Sequence, residues 1–277
     1  SDGDTAIVST AWNSSERGNS IDPLFPGDSN RGAVYVYIWD GTSWVSRGSG
    51  IRDFVDERAL PHSGYPRDFS VDANADYIVI STFSYDVPQN PEGRDHHGAV
   101  RVFVYNDALG EWNQIGNTIT TSTVLAYVGQ AVCISKVTSL TPTKEARIAV
   151  LDTTSVYVYD YDENTDTWDQ KGNTISRDNE GDNVSSKTKS PSMAFTEDKN
   201  TLIIGDYTPV TNDNQQGKVK VLKLTGDTWA VTNTFISLHD AIDHFGTDVL
   251  ISRRGFSVPN PCGGTKSFGH TLLFSIP

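Results

Sequence analysis

Four tryptophans, Trp44, Trp112, Trp168 and Trp229, stand 68, 56 and 61 residues apart, and each follows shortly after a run of alternating apolar residues. The runs align without a gap: GAVYVYIW from Gly32, GAVRVFVY from Gly98, TSVYVYDY from Thr154 and GKVKVLKL from Gly217. A fifth, weaker copy is GHTLLFSI from Gly269. Self-similarity at a fixed period marks a repeat architecture, and β-branched and aromatic residues alternating every second position mark a strand. The chain is therefore expected to fold as a series of sheet units of about 60 residues.

Both faces of this strand carry apolar groups. Val34, Val36 and Ile38 point one way, and Tyr35, Tyr37 and Trp39 the other. A sheet with one wet face would alternate with polar residues, so these sheets are expected to be covered on both sides, as propeller blades are.

Two more strands precede each run. The nearer set is DTAIVST (4–10), DYIVIST (76–82), ARIAVLD (146–152) and NTLIIGD (200–206). The farther set is RDFSVD (67–72), QAVCIS (130–135), PSMAFT (191–196) and TDVLIS (247–252). A fourth strand carries the tryptophan and a glycine-containing tail: WVSRGSGI, WNQIGNTI and WDQKGNTI. The expected fold is all-β, a propeller of four-stranded antiparallel blades. About five blades are visible, at approximately 1–51, 52–119, 120–175, 176–236 and 237–277, with the first and last incomplete. Counting strands gives 18. SLHDAIDH (237–244) offers a turn or two of helix at most.

Connections sort into two sets. First-to-second and third-to-fourth links such as DANA (72–75), TEDKN (196–200), DGTS (40–43), DENTD (162–166) and TGD (225–227) are tight and rich in turn residues. The links at 11–31, 52–66, 83–97, 176–189 and 207–216 are long. In antiparallel blades the two sets leave at opposite ends, so one end is expected to be trimmed and the other to carry elaborated loops, where function concentrates.

The order Phe-Gly-x-x-Val-x-Ile-Ser, then a strand, then Gly-Ala-Val-Tyr-Val-Tyr, then Trp with a following Gly, resembles the FG-GAP repeat of integrin-alpha-type β-propellers. The opening signature is best matched at Asp243–Ser252, and Gly32–Tyr37 and Gly98–Tyr105 match the third strand. Phe-Gly itself survives at Phe245-Gly246, with Gly129 as a remnant; the equivalent positions elsewhere read Tyr65-Pro66 and Lys189-Ser190. The resemblance covers nearly the whole chain. It implies a non-enzymatic extracellular or cell-surface propeller serving protein recognition, adhesion or assembly of a larger structure.

Members of that family that bind calcium use an Asp-x-Asp-x-Asp-Gly type of loop. The nearest strings here are Asp72, Asn74 and Asp76, and Asp162, Asn164 and Asp166. Both lack the glycine and the later oxygen ligands, and both stand where a hairpin turn calls for Asp and Asn anyway. No cofactor is expected, and calcium is the one metal the pattern leaves open.

DGTSW (40–44) and TGDTW (225–229) are similar to the Asp-box turns of sialidase-type propellers, which are hairpin turns even in the enzymes. Arg17, Arg31, Arg58 and Arg94 fall on the long links, but no pattern makes them converge. His96-His97, and His239 with His244, have no metal-ligand spacing. The chain also lacks His-Glu-x-x-His, Gly-x-Ser-x-Gly and a phosphate-cradling glycine loop. No enzyme is expected. The alternative reading is a carbohydrate-binding propeller, with Trp12, Phe25, Tyr65 and Tyr85 on the long links stacking on sugars. Asn13 and Asn183 head N-glycosylation sequons.

Cys133 falls in a first strand, as a small buried residue, and Cys262 in the loop PNPCGGTK; the two are not expected to pair. A net charge of -13 argues against nucleic acid, and no apolar run reaches the roughly 20 residues of a spanning helix. The expected partner is a protein or a glycan at the long-loop end. The length is not a whole number of repeats, so the chain is expected to be part of a longer polypeptide or assembly. Either further strands complete the ring, or 247–252 returns to complete the first blade.

Overall fold

Strands form where the alternation predicts them. The structure, a computed structural model, describes residues 5–10, 33–51, 69–74, 77–82, 97–135, 146–177, 192–196, 198–206, 218–236, 245–252 and 270–275. Among these there are 18 strands and no helix, hence none long and apolar enough to cross a membrane. Chain contacts divide the molecule into two compact units, residues 1–130 with 165–167, and residues 131–164 with 168–277.

The first unit holds two antiparallel sheets. One runs β1 (Thr5–Thr10), β2 (Ala33–Trp39), β3 (Trp44–Ser46) in that order; the other runs β4 (Phe69–Asn74), β5 (Tyr77–Thr82), β6 (Ala99–Asn106), β7 (Glu111–Thr120). Ile7 pairs with Val36, and Ile78 with Phe103, so each sheet lines up one apolar row. Val34, Val36 and Ile51 of the first sheet and Ile78, Ile80, Phe103 and Trp112 of the second form a single core cluster. Each fully buried Val, Ile or Phe contributes roughly 1.5–3 kcal/mol relative to exposure. All six residues of β5 are buried, as expected of a strand covered on both faces. In β2, among the described side chains, Val34 and Val36 are buried, Tyr35, Tyr37 and Ile38 are half-buried and Trp39 is exposed.

In the second unit, β8 (Ala131–Ile134), β9 (Arg147–Leu151), β10 (Ser155–Asp162) and β11 (Thr167–Gln170) form one antiparallel sheet, and β12 (Ile175–Ser176) also pairs with β10. β12 continues the fourth strand beyond its glycine: Ile175 lies opposite Val156 as Ile119 lies opposite Val100 in β7. The next sheet is β13 (Ser192–Phe195), β14 (Thr201–Asp206), β15 (Lys218–Thr225), β16 (Thr228–Ile236). A core cluster joins Cys133, Ala149, Leu151, Val156 and Val158 to Met193, Leu202, Ile204, Leu222 and Trp229. Cys133 is buried there as predicted, while Cys262 lies outside the described residues. On the opposite side of the β13–β16 sheet, Ile203 and Val219 pack with Val249 of β17 (Phe245–Ser252), so this sheet too is covered on both faces.

Three expectations change. β17 and β18 (His270–Ser275) pair in parallel, not antiparallel. First and third strands of an up-and-down sheet run the same way, so direct neighbours of those ranks must be parallel. Second, the sorting of tight and long links fails in the third sheet. There the tight turn Asp152–Ser155 joins second and third strands, while residues 135–146 join the first and second. The trimmed end is therefore not uniformly trimmed. Third, the 18 strands are distributed three, four, five, four and two among the sheets.

Candidate functional site

Trp12, Phe25, Tyr65, Tyr85, Asn13, Asn183 and Asp76, with Arg17, Arg31, Arg58, Arg94, His96, His239 and His244, lie outside the described residues. Asp72 and Asn74 are strand positions of β4, with Asn74 opposite Tyr77 at the hairpin end. Two recurring arrangements of polar groups stand out among the described residues, turn locks and sheet-to-sheet joints.

The turn locks use a carboxylate or amide oxygen to accept backbone N–H groups two and three residues on, which frees the tight turn from needing water. Asp40 Oδ1 accepts the N–H groups of Thr42 and Ser43, both at 2.8 Å. Asp152 Oδ1 accepts those of Thr154 and Ser155, both at 2.7 Å. Asn106 Oδ1 does the same for Ala108 and Leu109, and Asp198 Oδ1 takes the N–H of Asn200 together with the Thr196 hydroxyl. Asp162 Oδ1 accepts the N–H of Asn164 at 2.8 Å, and Asp166 Oδ1 accepts the N–H of Gly116 at 2.7 Å. Asp162 and Asp166 of the predicted calcium string thus each accept a backbone N–H. Among the described residues no group of three or more His, Cys, Asp or Glu side chains stands close enough to hold a metal.

The Ser43 N–H first, then the hydroxyl and N–H of Thr42, hold the Asp40 carboxyl down to about 2. A depressed carboxyl pKa makes a contribution to stability that is present above the ordinary value of 3.8 and is lost as pH falls through about 2. A carboxyl-detected NMR titration is expected to find Asp40 still ionised at pH 3. A midpoint near 4 would contradict the turn geometry.

The joints account for two of the recurring tryptophans, Trp112 and Trp229. In the first unit, Trp112 Nε1 donates to the carbonyl of Arg47 in the preceding sheet at 2.9 Å. The Arg47 guanidinium lies 4.3 Å over the centre of the Tyr105 ring and 3.8 Å from Asp107. In the second unit, Trp229 Nε1 donates to the carbonyl of Lys171 at 3.0 Å, and Lys171 Nζ meets Asp227 at 2.5 Å. That ammonium also holds the Asp227 carboxyl below its ordinary value. Here the backbone N–H of Trp229 also donates to Asn173 Oδ1 at 2.6 Å. The residue after the acceptor is glycine in both joints. A Cβ on Gly172 would come within 2.9 Å of the Trp229 ring, and Gly48 takes the same place against Trp112. A tryptophan, a basic residue before a glycine and an acid near the next hairpin thus form one device, seen once in each unit.

A buried arginine reinforces the second joint. Arg147 makes a two-pronged bond to Asp160, at 2.6 and 2.8 Å, and also donates to the Lys199 carbonyl at 2.8 Å in the following sheet. Burial foremost, then the neighbouring Tyr157 and Asp152, push the Tyr159 phenol up to about 12. His97 is buried ahead of Gly98 and is not presented at the surface.

No protein-family model matches the chain, and no curated protein matches it. Among solved structures, a protein from Lactobacillus plantarum, a structural genomics target, is similar to 84% of this chain over 67% of its own length. The identity is 10% and the TM-score 0.31.

Proposed function

We propose that the chain is a β-propeller of four-stranded repeats that acts outside the cell or at its surface as a non-enzymatic recognition or assembly module. The observation that carries this reading is the repetition of the joint. Two sheets in each unit meet through the same indole-to-carbonyl bond at equivalent positions, which is what repeats stacked face to face around a common axis require. The turn oxygens and the buried arginine are committed to the scaffold, leaving recognition to the long connections. The FG-GAP resemblance and the acidic surface favour an extracellular protein partner, and the loop aromatics supply the alternative, a glycan.

The test is a binding screen of the purified chain against secreted and cell-surface proteins and against a glycan array. Saturable binding to a protein, lost when 83–96 is replaced by a short Gly/Ser link while the thermal melt is unchanged, is the expected result. Saturable sugar binding abolished by Trp12→Ala would replace this reading with the lectin one.

A further inference from the structure

The link 121–130, which follows β7, is fastened to the second sheet at several points. Thr120 Oγ1 donates to the Gly98 carbonyl at 2.7 Å, the Val128 N–H to the His97 carbonyl at 2.9 Å, and Ser81 Oγ to the Gly129 carbonyl at 2.6 Å. Ala126 and Val128 are buried. The backbones of Leu125 and Ala126 are hydrogen-bonded as well.

Between these anchors the chain holds two features at a cost. Leu125 and Tyr127 take left-handed φ values of 60° and 51°, a conformation that strains a residue with a Cβ and that glycine adopts freely. Val124 and Leu125, adjacent in the chain, are 52% and 50% exposed, and the neutral Ser122 and Thr123 before them are exposed too. Strained positions persist where the surroundings over-determine them, and they concentrate at sites of ligand contact. From Trp112 to Ser135 no residue is charged, in a chain with 21% charged residues and a net charge of -13. The tip is thus an uncharged apolar projection from an acidic protein.

We propose that Val124 and Leu125 form an apolar knob that enters a pocket on a protein partner. Seating the knob takes apolar surface out of water and desolvates no charge. Its backbone is already fixed, so docking orders little that was free. The bond from Val128 to His97 places the knob where the 83–97 link meets β6, so the inference rests on the reading of that end as the recognition end. A lipid surface suits it less: segments that lie in a bilayer interface combine apolar residues with Lys or Arg and with Trp, and residues 121–128 hold none of these.

Two substitutions in the intact chain test the knob against a panel of purified secreted and cell-surface proteins, with affinity read by biolayer interferometry. Val124→Ser and Leu125→Gly should each weaken saturable binding at least about tenfold. Glycine takes the left-handed φ without strain, so the melting temperature of Leu125→Gly should be unchanged or raised. Val124→Ser, at an exposed position, should melt as the wild type does. Binding indifferent to both substitutions overturns the proposal and leaves recognition through 83–96 standing. A clearly lowered melting temperature for Leu125→Gly overturns it as well, because Leu125 would then serve the fold. Saturable binding to vesicles of phosphatidylcholine and phosphatidylserine, lost in Val124→Ser, would assign the tip to a membrane instead. A panel without any saturable binder removes the knob and the recognition reading together.

Discussion

Trp229→Ala is expected to lower the free energy of unfolding by about 3–5 kcal/mol, whereas Trp44→Ala should change it by no more than about 0.5 kcal/mol. The two residues hold the same rank in their repeats, so propensity and composition do not separate them. Trp229 fills a core cluster with Met193, Leu202 and Leu222, and bonds Lys171 and Asn173 across the joint. Its truncation removes apolar burial, leaves a cavity and deprives the Lys171 carbonyl of its indole donor, while the backbone bond to Asn173 stays. Trp44 fills no such cavity. Urea unfolding followed by circular dichroism measures both. Equal losses would mean that the joint contributes nothing beyond its strand.

Gly98→Ala is the second large effect. Gly98 has a φ of +81° and bridges to Val128 in parallel fashion, and a Cβ there would lie 2.2 Å from the Val128 carbonyl oxygen and 2.3 Å from its nitrogen. The obstacle is backbone, which cannot rotate aside. The left-handed conformation costs an L-residue about 1–2 kcal/mol, and overpacking typically adds about 1–3 kcal/mol. A loss of roughly 2–5 kcal/mol is therefore expected, together with faster amide exchange at Val128, whose N–H donates to the His97 carbonyl. An unchanged Val128 exchange rate would show that this approach is not as close as 2.2 Å.

Much of the architecture was legible because strands announce themselves with a two-residue period. GAVRVFVY and DYIVIST carry that period in full, and β6 and β5 begin and end within a residue or so of them. The joints were legible only in part. The recurrence of tryptophan was plain, but its acceptor is the carbonyl of Arg47 or Lys171, a group that every residue possesses, so no letter marks it. A basic residue before glycine in two of the three tails was the available signal. Asp152 was hidden because DTTS reads as the end of one apolar run and the start of the next, although it makes a complete turn lock. In β16 the ladder shifts register between Val221 and Leu222, which places Phe235 opposite Val219 and moves Ile236 off the core. A one-residue slip exchanges the faces of a strand, and composition does not report it. The loop aromatics proposed for recognition, Trp12, Phe25, Tyr65 and Tyr85, fall outside the described residues.

The turn locks bear on how freely this protein's charge can vary. Asn106 does with a neutral amide what Asp40 and Asp152 do with a carboxylate: the same Oδ1 accepts backbone N–H groups at 3.0 and 3.2 Å. The lock needs an acceptor oxygen on a short side chain, not a negative charge. Each Asp→Asn exchange at these turns would remove one unit of negative charge while leaving the backbone its partner. The acidity of the surface and the shape of the hairpins are therefore separable properties, and electrostatic attraction to a partner can be adjusted at the turns without redrawing the sheets they join.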